Sequence, residues 1–240
     1  MPHVHGTTAS RDSNRTTQGF AAVAALVSAL LSCCQDDLSR YYPLEAGLTW
    51  HYRVTLTQDR EVTPTTADVI NLRPTNVLGR TGVPQQSEMF GQNLVRYLAK
   101  NERGIFEFAQ QQAGGGVTPV GNDTPNYVLR VPLAEGTTWP STWQSTRDGR
   151  RMSFPTVKTI ATTDETVMVP AGTFSDCIRL KITGKGQANL ASGPATIEVQ
   201  GDEWYAPDIG FIKGIFRETL NSGEAPVELG MDLASFATPH

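Results

Sequence analysis

The chain has 240 residues, a formal net charge of −4 at pH 7, 39% hydrophobic and 18% charged residues, and 22 Gly with 15 Pro. A mildly acidic chain without basic runs makes a poor nucleic-acid binder, and no RNP-like, helix-turn-helix or zinc-finger pattern occurs in it. The Gly and Pro content suits a turn-rich β protein better than a helical bundle, and the length allows one domain around one sizeable core.

At the N-terminus, Arg11 and Arg15 precede an uncharged stretch over 19–31, GFAAVAALVSALL. A basic region followed by a short apolar core is an export signal. The stretch makes roughly 20 Å of helix, short of the about 20 residues that span a bilayer. Leu30-Leu31-Ser32-Cys33 follows and resembles the lipobox of bacterial lipoproteins. In that family the signal is cut before the cysteine, whose thiol and new N-terminus carry acyl chains such as palmitate. The resemblance implies a signal peptide over 1–32, lipidation at Cys33, and a lipid-anchored tether over 33–40 that makes the membrane a partner. Loss of the leader, with Arg11, Arg15 and Asp12, takes the net charge from −4 to −5. In the same families Asp after the modified cysteine favours retention at the inner membrane. Cys34 occupies that position, which implies the outer membrane, facing the periplasm, over the inner one.

Residues 41–240 read as a single β domain. Short β-rich runs alternate with turn signals, at 49–57, 67–72, 87–100, 104–110, 126–131, 152–161, 165–169, 176–184, 195–206 and 210–220. In the first run Trp50, Tyr52, Val54 and Leu56 project to one side and His51, Arg53, Thr55 and Thr57 to the other, as in a half-buried strand. Around Val199, Gly201 and Glu203 the alternation is mixed and leaves the faces open. The segment PLEAGLTW at 43–50 is echoed by PLAEGTTW at 132–139, each a proline-led turn with Gly entering a strand that starts on Trp. Two copies can mark two half-sheets of one domain. The glycine-rich stretch 110–125 and the polar stretch 184–194 read as loops, and 221–240, with little pattern, is expected to pack loosely.

Candidate chemistry is sparse. Only His51 lies inside the domain, away from the leader and the terminal residue, so neither a multi-histidine zinc site nor an obvious serine triad can be assembled. No G-x-S-x-G elbow occurs. Cys177 sits in an apolar strand pattern; it is either a buried free thiol or the partner of Cys34 in a disulfide. The carboxylate pairs Asp164-Glu165 and Asp202-Glu203 are adjacent along strands and point to opposite faces, so neither converges alone. Gly184-Lys185-Gly186 and Gly114-Gly115-Gly116 lack the rest of a phosphate-binding motif. The reading is therefore non-enzymatic, with no catalytic, cofactor-binding or metal residue assigned and no cofactor. Trp50, Tyr52, Trp139, Trp143, Trp204, Tyr205, Phe211 and Phe216 supply core volume or, alternatively, line the concave side of a curved sheet that takes an apolar ligand.

Three blocks carry a second resemblance: 42–52 with Tyr42-Pro43-Leu44, Gly47 and Trp50-His51-Tyr52; 169–180, VPAGTFSDCIRL; and 204–213, WYAPDIGFIK. The chain resembles a group of uncharacterised bacterial envelope lipoproteins. That resemblance implies a single antiparallel, strongly curved sheet, a half-barrel similar to periplasmic lipoprotein carriers, or a closed β-barrel. The expected role is binding of an apolar ligand or an envelope component, with a structural or assembly partner of other envelope proteins as the alternative.

Overall fold

A computed structural model describes residues 38–121, 124–147, 150–190 and 193–239; the leader, Cys33 and Cys34 lie outside the described residues. The first strand, β1 (Thr49–Gln58), buries Trp50, Tyr52 and Val54 and turns Arg53 and Thr55 to solvent, as its alternation dictates. It returns through Asp59 and Arg60, both at positive φ, into β2 (Glu61–Asn71). Two-residue turns of this hand match the twist of the strands they join. The same device links β3 (Thr75–Val77) to β4 (Arg80–Met89) at Leu78-Gly79, and β4 to β5 (Gln92–Asn101) at Phe90-Gly91. Sequence reading runs 87–100 as one strand; Phe90, an uncommon turn residue at φ 53°, conceals the break.

Next comes β6 (Gly104–Gln112), whose outer side carries β8 (Asn126–Arg130) on one half and the short β7 (Val117–Pro119) on the other. A second meander follows: β9 (Thr138–Arg147), β10 (Arg150–Val169), β11 (Gly172–Leu190), β12 (Gly193–Ala206), β13 (Gly210–Leu220) and β14 (Val227–Ala237). The stretch 184–194, read as a loop, is instead the far end of the β11–β12 hairpin, with Gly184 opposite Val199 and Leu190 opposite Gly193. The last stretch is no loose tail either, because β14 pairs with both β13 and β1.

All pairings are antiparallel, and the ladder runs β7-β6-β5-β4-β2-β1-β14-β13-β12-β11-β10-β9. The chain thus starts in the middle of the sheet, works outward to one end, crosses to the other, and returns to the middle. Side chains from the two ends meet. Asn126 on β8 accepts hydrogen bonds from the Ser141 hydroxyl at 3.1 Å and the Thr142 amide at 3.2 Å on β9. Trp143 on β9 likewise donates to Glu218 on β13 at 2.6 Å, although three strands separate β9 from β13 in the ladder. Only a sheet coiled tightly on itself permits both. Among the described residues no backbone ladder joins the two ends, so the closed-barrel alternative is corrected to an open, strongly curved sheet. Asn126 spends its side-chain oxygen where a barrel would need strand pairing.

The buried apolar side chains of the described residues gather in three clusters, the third around Phe154 and Ile197. One cluster joins Leu98, Ile105 and Leu129 with Trp139, Ile160 and Leu180, each at most 1% exposed. A second gathers Trp50, Tyr52 and Val54 with Val167, Cys177 and Trp204. Each fully buried aliphatic side chain contributes about 1.5–3 kcal/mol relative to exposure. Leu38 is 1% exposed within the first cluster, and Arg40 pairs with Asp208, so the folded part takes in residues that the sequence reading gives to the tether.

Candidate functional site

Both meanders contribute to one cavity of about 280 Å³, bounded by Trp50, Tyr52, Val128, Phe211, Phe216 and Met231. Side chains from strands this far apart in the ladder can share a cavity only on the concave face. The rings are positioned from below: Gly201 and Gly214 lie beneath Phe216, and a Cβ on either would stand 2.6 Å from that ring. Trp50 and Tyr52 are fixed by hydrogen bonds to the carbonyls of Ile209 at 2.7 Å and Phe211 at 2.8 Å. These bonds span the lower gap where β14 has parted from β13, whose pairing ends at Lys213 and Asp232.

Polar groups form the rest of the wall. Lys158 of β10 donates to Glu203 of β12 at 2.7 Å, with side-chain exposures of 11% and 13%. The Tyr205 hydroxyl donates to the same carboxylate oxygen at 2.9 Å. Arg96 of β5 donates through Nε to Glu107 of β6 at 3.0 Å. At the floor, Tyr42 donates to Gln85, Gln85 to Asn71, and Asn71 to the Pro43 carbonyl, each at 3.1 Å. Tyr42, Tyr205 and Phe211 stack edgewise or tilted along this line, with centroids 6.0 and 5.7 Å apart.

Burial raises the Tyr42 hydroxyl above its ordinary pKa and raises Tyr52 and Tyr205 well above it, with the Glu203 charge adding to the effect at Tyr205. All three therefore remain hydrogen-bond donors at neutral pH. Burial of Arg96 works against its charge, but the adjoining Glu107 carboxylate, together with the Tyr42 and Tyr205 hydroxyls, outweighs this and holds the guanidinium above its usual range.

The residues that sequence reading singled out are dispersed. His51 lies on the outer face and pairs across the strands with Asp68, at side-chain exposures of 43% and 71%, beside an open groove of about 360 Å³. A solvated pair of this kind contributes little. Cys177 is a buried free thiol whose Sγ faces the Phe174 carbonyl at 3.4 Å, and burial pushes its pKa up to about 11. Glu165 accepts from the Trp204 indole at 3.1 Å, while Asp164 is exposed. Glu203 enters the cavity, and its neighbour Asp202 has the opposite orientation along the strand, so the pair does not converge. Among the described residues no three His, Cys, Asp or Glu side chains lie together as metal ligands. Cys33 lies outside the described residues.

Of the aromatic residues, Trp50, Tyr52, Tyr205, Phe211 and Phe216 line the cavity, whereas Trp139 is core. Sequence reading misses two charged residues of the lining, Arg96 and Lys158. For Lys158 a signal exists: it shares the inward parity of Phe154, Thr156 and Ile160, all buried. For Arg96 it does not, because an irregularity between Tyr97 and Leu98 shifts the register and breaks the alternation.

No protein-family model matches the sequence, and a comparison with curated proteins finds no match. Among solved structures, the chain is similar to an exported protein, so described, with YmcC-like fold from Bacteroides fragilis, at 16% identity and TM-score 0.44 over 82% of this chain and 99% of that one. It is also similar to the hypothetical lipoprotein YmcC from Escherichia coli, at 12% identity and TM-score 0.34 over 95% and 99%. A domain from Vibrio parahaemolyticus described as an outer membrane lipoprotein-sorting protein domain aligns at 9% identity and TM-score 0.32 over 86% and 91%. At these scores the likenesses add nothing to the topology read directly from the strand ladder.

Proposed function

We propose that the protein is a lipid-anchored lipoprotein of the bacterial cell envelope, carried on the outer membrane, that binds an apolar molecule on the concave face of its sheet without catalysing a reaction. The observation that carries the binding reading is the cavity among Trp50, Tyr52, Phe211, Phe216 and Met231. Its volume of about 280 Å³ is just under the roughly 300–1,000 Å³ usual for small-molecule sites, and an apolar wall with a few placed polar groups is their common make-up. Support for the anchor comes from the basic leader, the short apolar stretch and the Leu-Leu-Ser-Cys segment ending at Cys33. The non-enzymatic reading is supported by the dispersal of the candidate groups: His51 lies on the outer face with Asp68, Cys177 is a buried thiol against the Phe174 carbonyl, and Glu203 pairs with Lys158 in the cavity.

Two measurements test this. Solvent extraction of the purified protein followed by mass spectrometry should release an apolar compound, and Met231→Trp, which fills the cavity, should abolish its recovery. Equal recovery from the filled variant would refute binding at this site. Labelling cells with a fatty-acid probe should mark the wild type and leave Cys33→Ser unmarked; equal labelling of both removes Cys33 as the anchor.

A further inference from the structure

We infer that the cavity is built for an amphiphile with an anionic head, carboxylate or phosphate, held by Arg96 and Lys158 while its chain lies against the aromatic wall. This rests on the apolar-cavity reading and adds the chemistry of the ligand's polar end. Three charged side chains line the cavity, Arg96, Lys158 and Glu203, and they leave it one positive charge in excess. The carboxylate that balances the excess, Glu107, is 6% exposed and is not part of the lining.

Hydrogen-bond capacity points the same way. A guanidinium carries five N–H donors and an ammonium three. Arg96 places its Nε on Glu107, and Lys158 makes one bond to Glu203, whereas the Glu203 oxygen that takes this bond also accepts the Tyr205 hydroxyl. The wall thus offers donors in surplus, among them the planar end of Arg96, which suits bidentate recognition of a carboxylate or phosphate. Buried ion pairs are in general a costly way to gain stability, since their replacement by apolar residues of similar volume is often neutral or stabilising. At roughly 30 Å³ for each small group, about nine such groups fill the cavity, so a medium-length chain is the natural probe.

The test is isothermal titration calorimetry of the purified full protein with decanoate, decyl phosphate and 1-decanol, which share a chain and differ in the head. At least one anionic probe should bind tenfold or more tightly than the alcohol, and comparison of the two identifies the head chemistry. Lys158→Met/Glu203→Gln, which removes the cation without stranding its carboxylate and leaves Tyr205 an acceptor, should bring the anionic probe to within about threefold of the alcohol. Arg96→Gln should act in the same direction, which keeps the test intact should the double variant fail to fold. Decanol binding as tightly as both anions overturns the head assignment alone. If none of the three binds, the apolar-cavity reading falls with it.

Discussion

The segments 43–50 and 132–139 enter the two meanders in the same way and serve different ends. In each, a glycine at positive φ, Gly47 at 89° or Gly136 at 82°, donates its amide to the neighbouring strand, at Asn71 or Ile160. That residue donates back to Leu48 or Thr137, and the tryptophan closing the segment is buried with its indole N–H on a carbonyl. What differs is the equivalent pair itself. Ile160 joins the solid core beside Trp139, whereas Asn71, fully buried, sends its amide to Pro43 and takes a bond from Gln85, beneath Tyr42 and the cavity. One backbone device has been given an apolar filling where it builds core and a polar filling where it builds a site floor.

The largest test of that contrast is Trp139→Ala, which empties a 1% exposed position and should cost about 3–5 kcal/mol in urea unfolding. Trp50→Ala should cost measurably less, since one side of that ring already faces a cavity; equal losses would erase the distinction. Asn71→Leu comes next, at about 2 kcal/mol or more, because Gln85 and the Pro43 carbonyl are left buried without their partner. The matching Ile160→Val should cost only about 0.5–1.5 kcal/mol by the same measurement.

The glycines, with effects of similar size, probe the backbone device that the two segments share. Alanine at Gly136 meets only the left-handed backbone, about 1–2 kcal/mol, because nothing stands within 4 Å of the added methyl. At Gly47 the methyl would also sit 2.9 Å from Pro239, so Gly47→Ala should cost more; the reverse order in thermal unfolding would contradict the packing described. The last test is one of pH dependence, at Cys177. Burial raises its folded pKa to about 11, above the unfolded value of about 8.5, so the thiol's contribution is whole below the lower figure and is lost as pH rises through the upper one. The stability difference between wild type and Cys177→Ala should therefore be flat to about pH 8 and shrink towards pH 11.

Strands with one wet and one dry face were legible, β1 above all. The echo at 132–139 was legible too, yet β9 after it was not, because Pro140, Ser141, Thr142 and Ser145 hide its alternation. The break read at 162–164 is a run of register irregularities inside the single long β10. β14 escaped because it is half-buried on both faces along most of its length and shows no period of two. At the site, the rings were visible as rings, but whether a ring fills core or borders space is decided by what faces it across the curl. Asn71, Gln85 and Arg96 carry no local mark at all, since their partners lie on other strands or follow a bulge.

The place of β14 between β1 and β13 has a consequence in time. Every other strand is made before it, and until it docks, the chain is two half-sheets whose inner edges, on β1 and β13, lack their neighbour. Contacts between segments so distant along the chain make for slow folding, and open edges invite pairing with other molecules. The order of synthesis thus leaves the join between the halves for last.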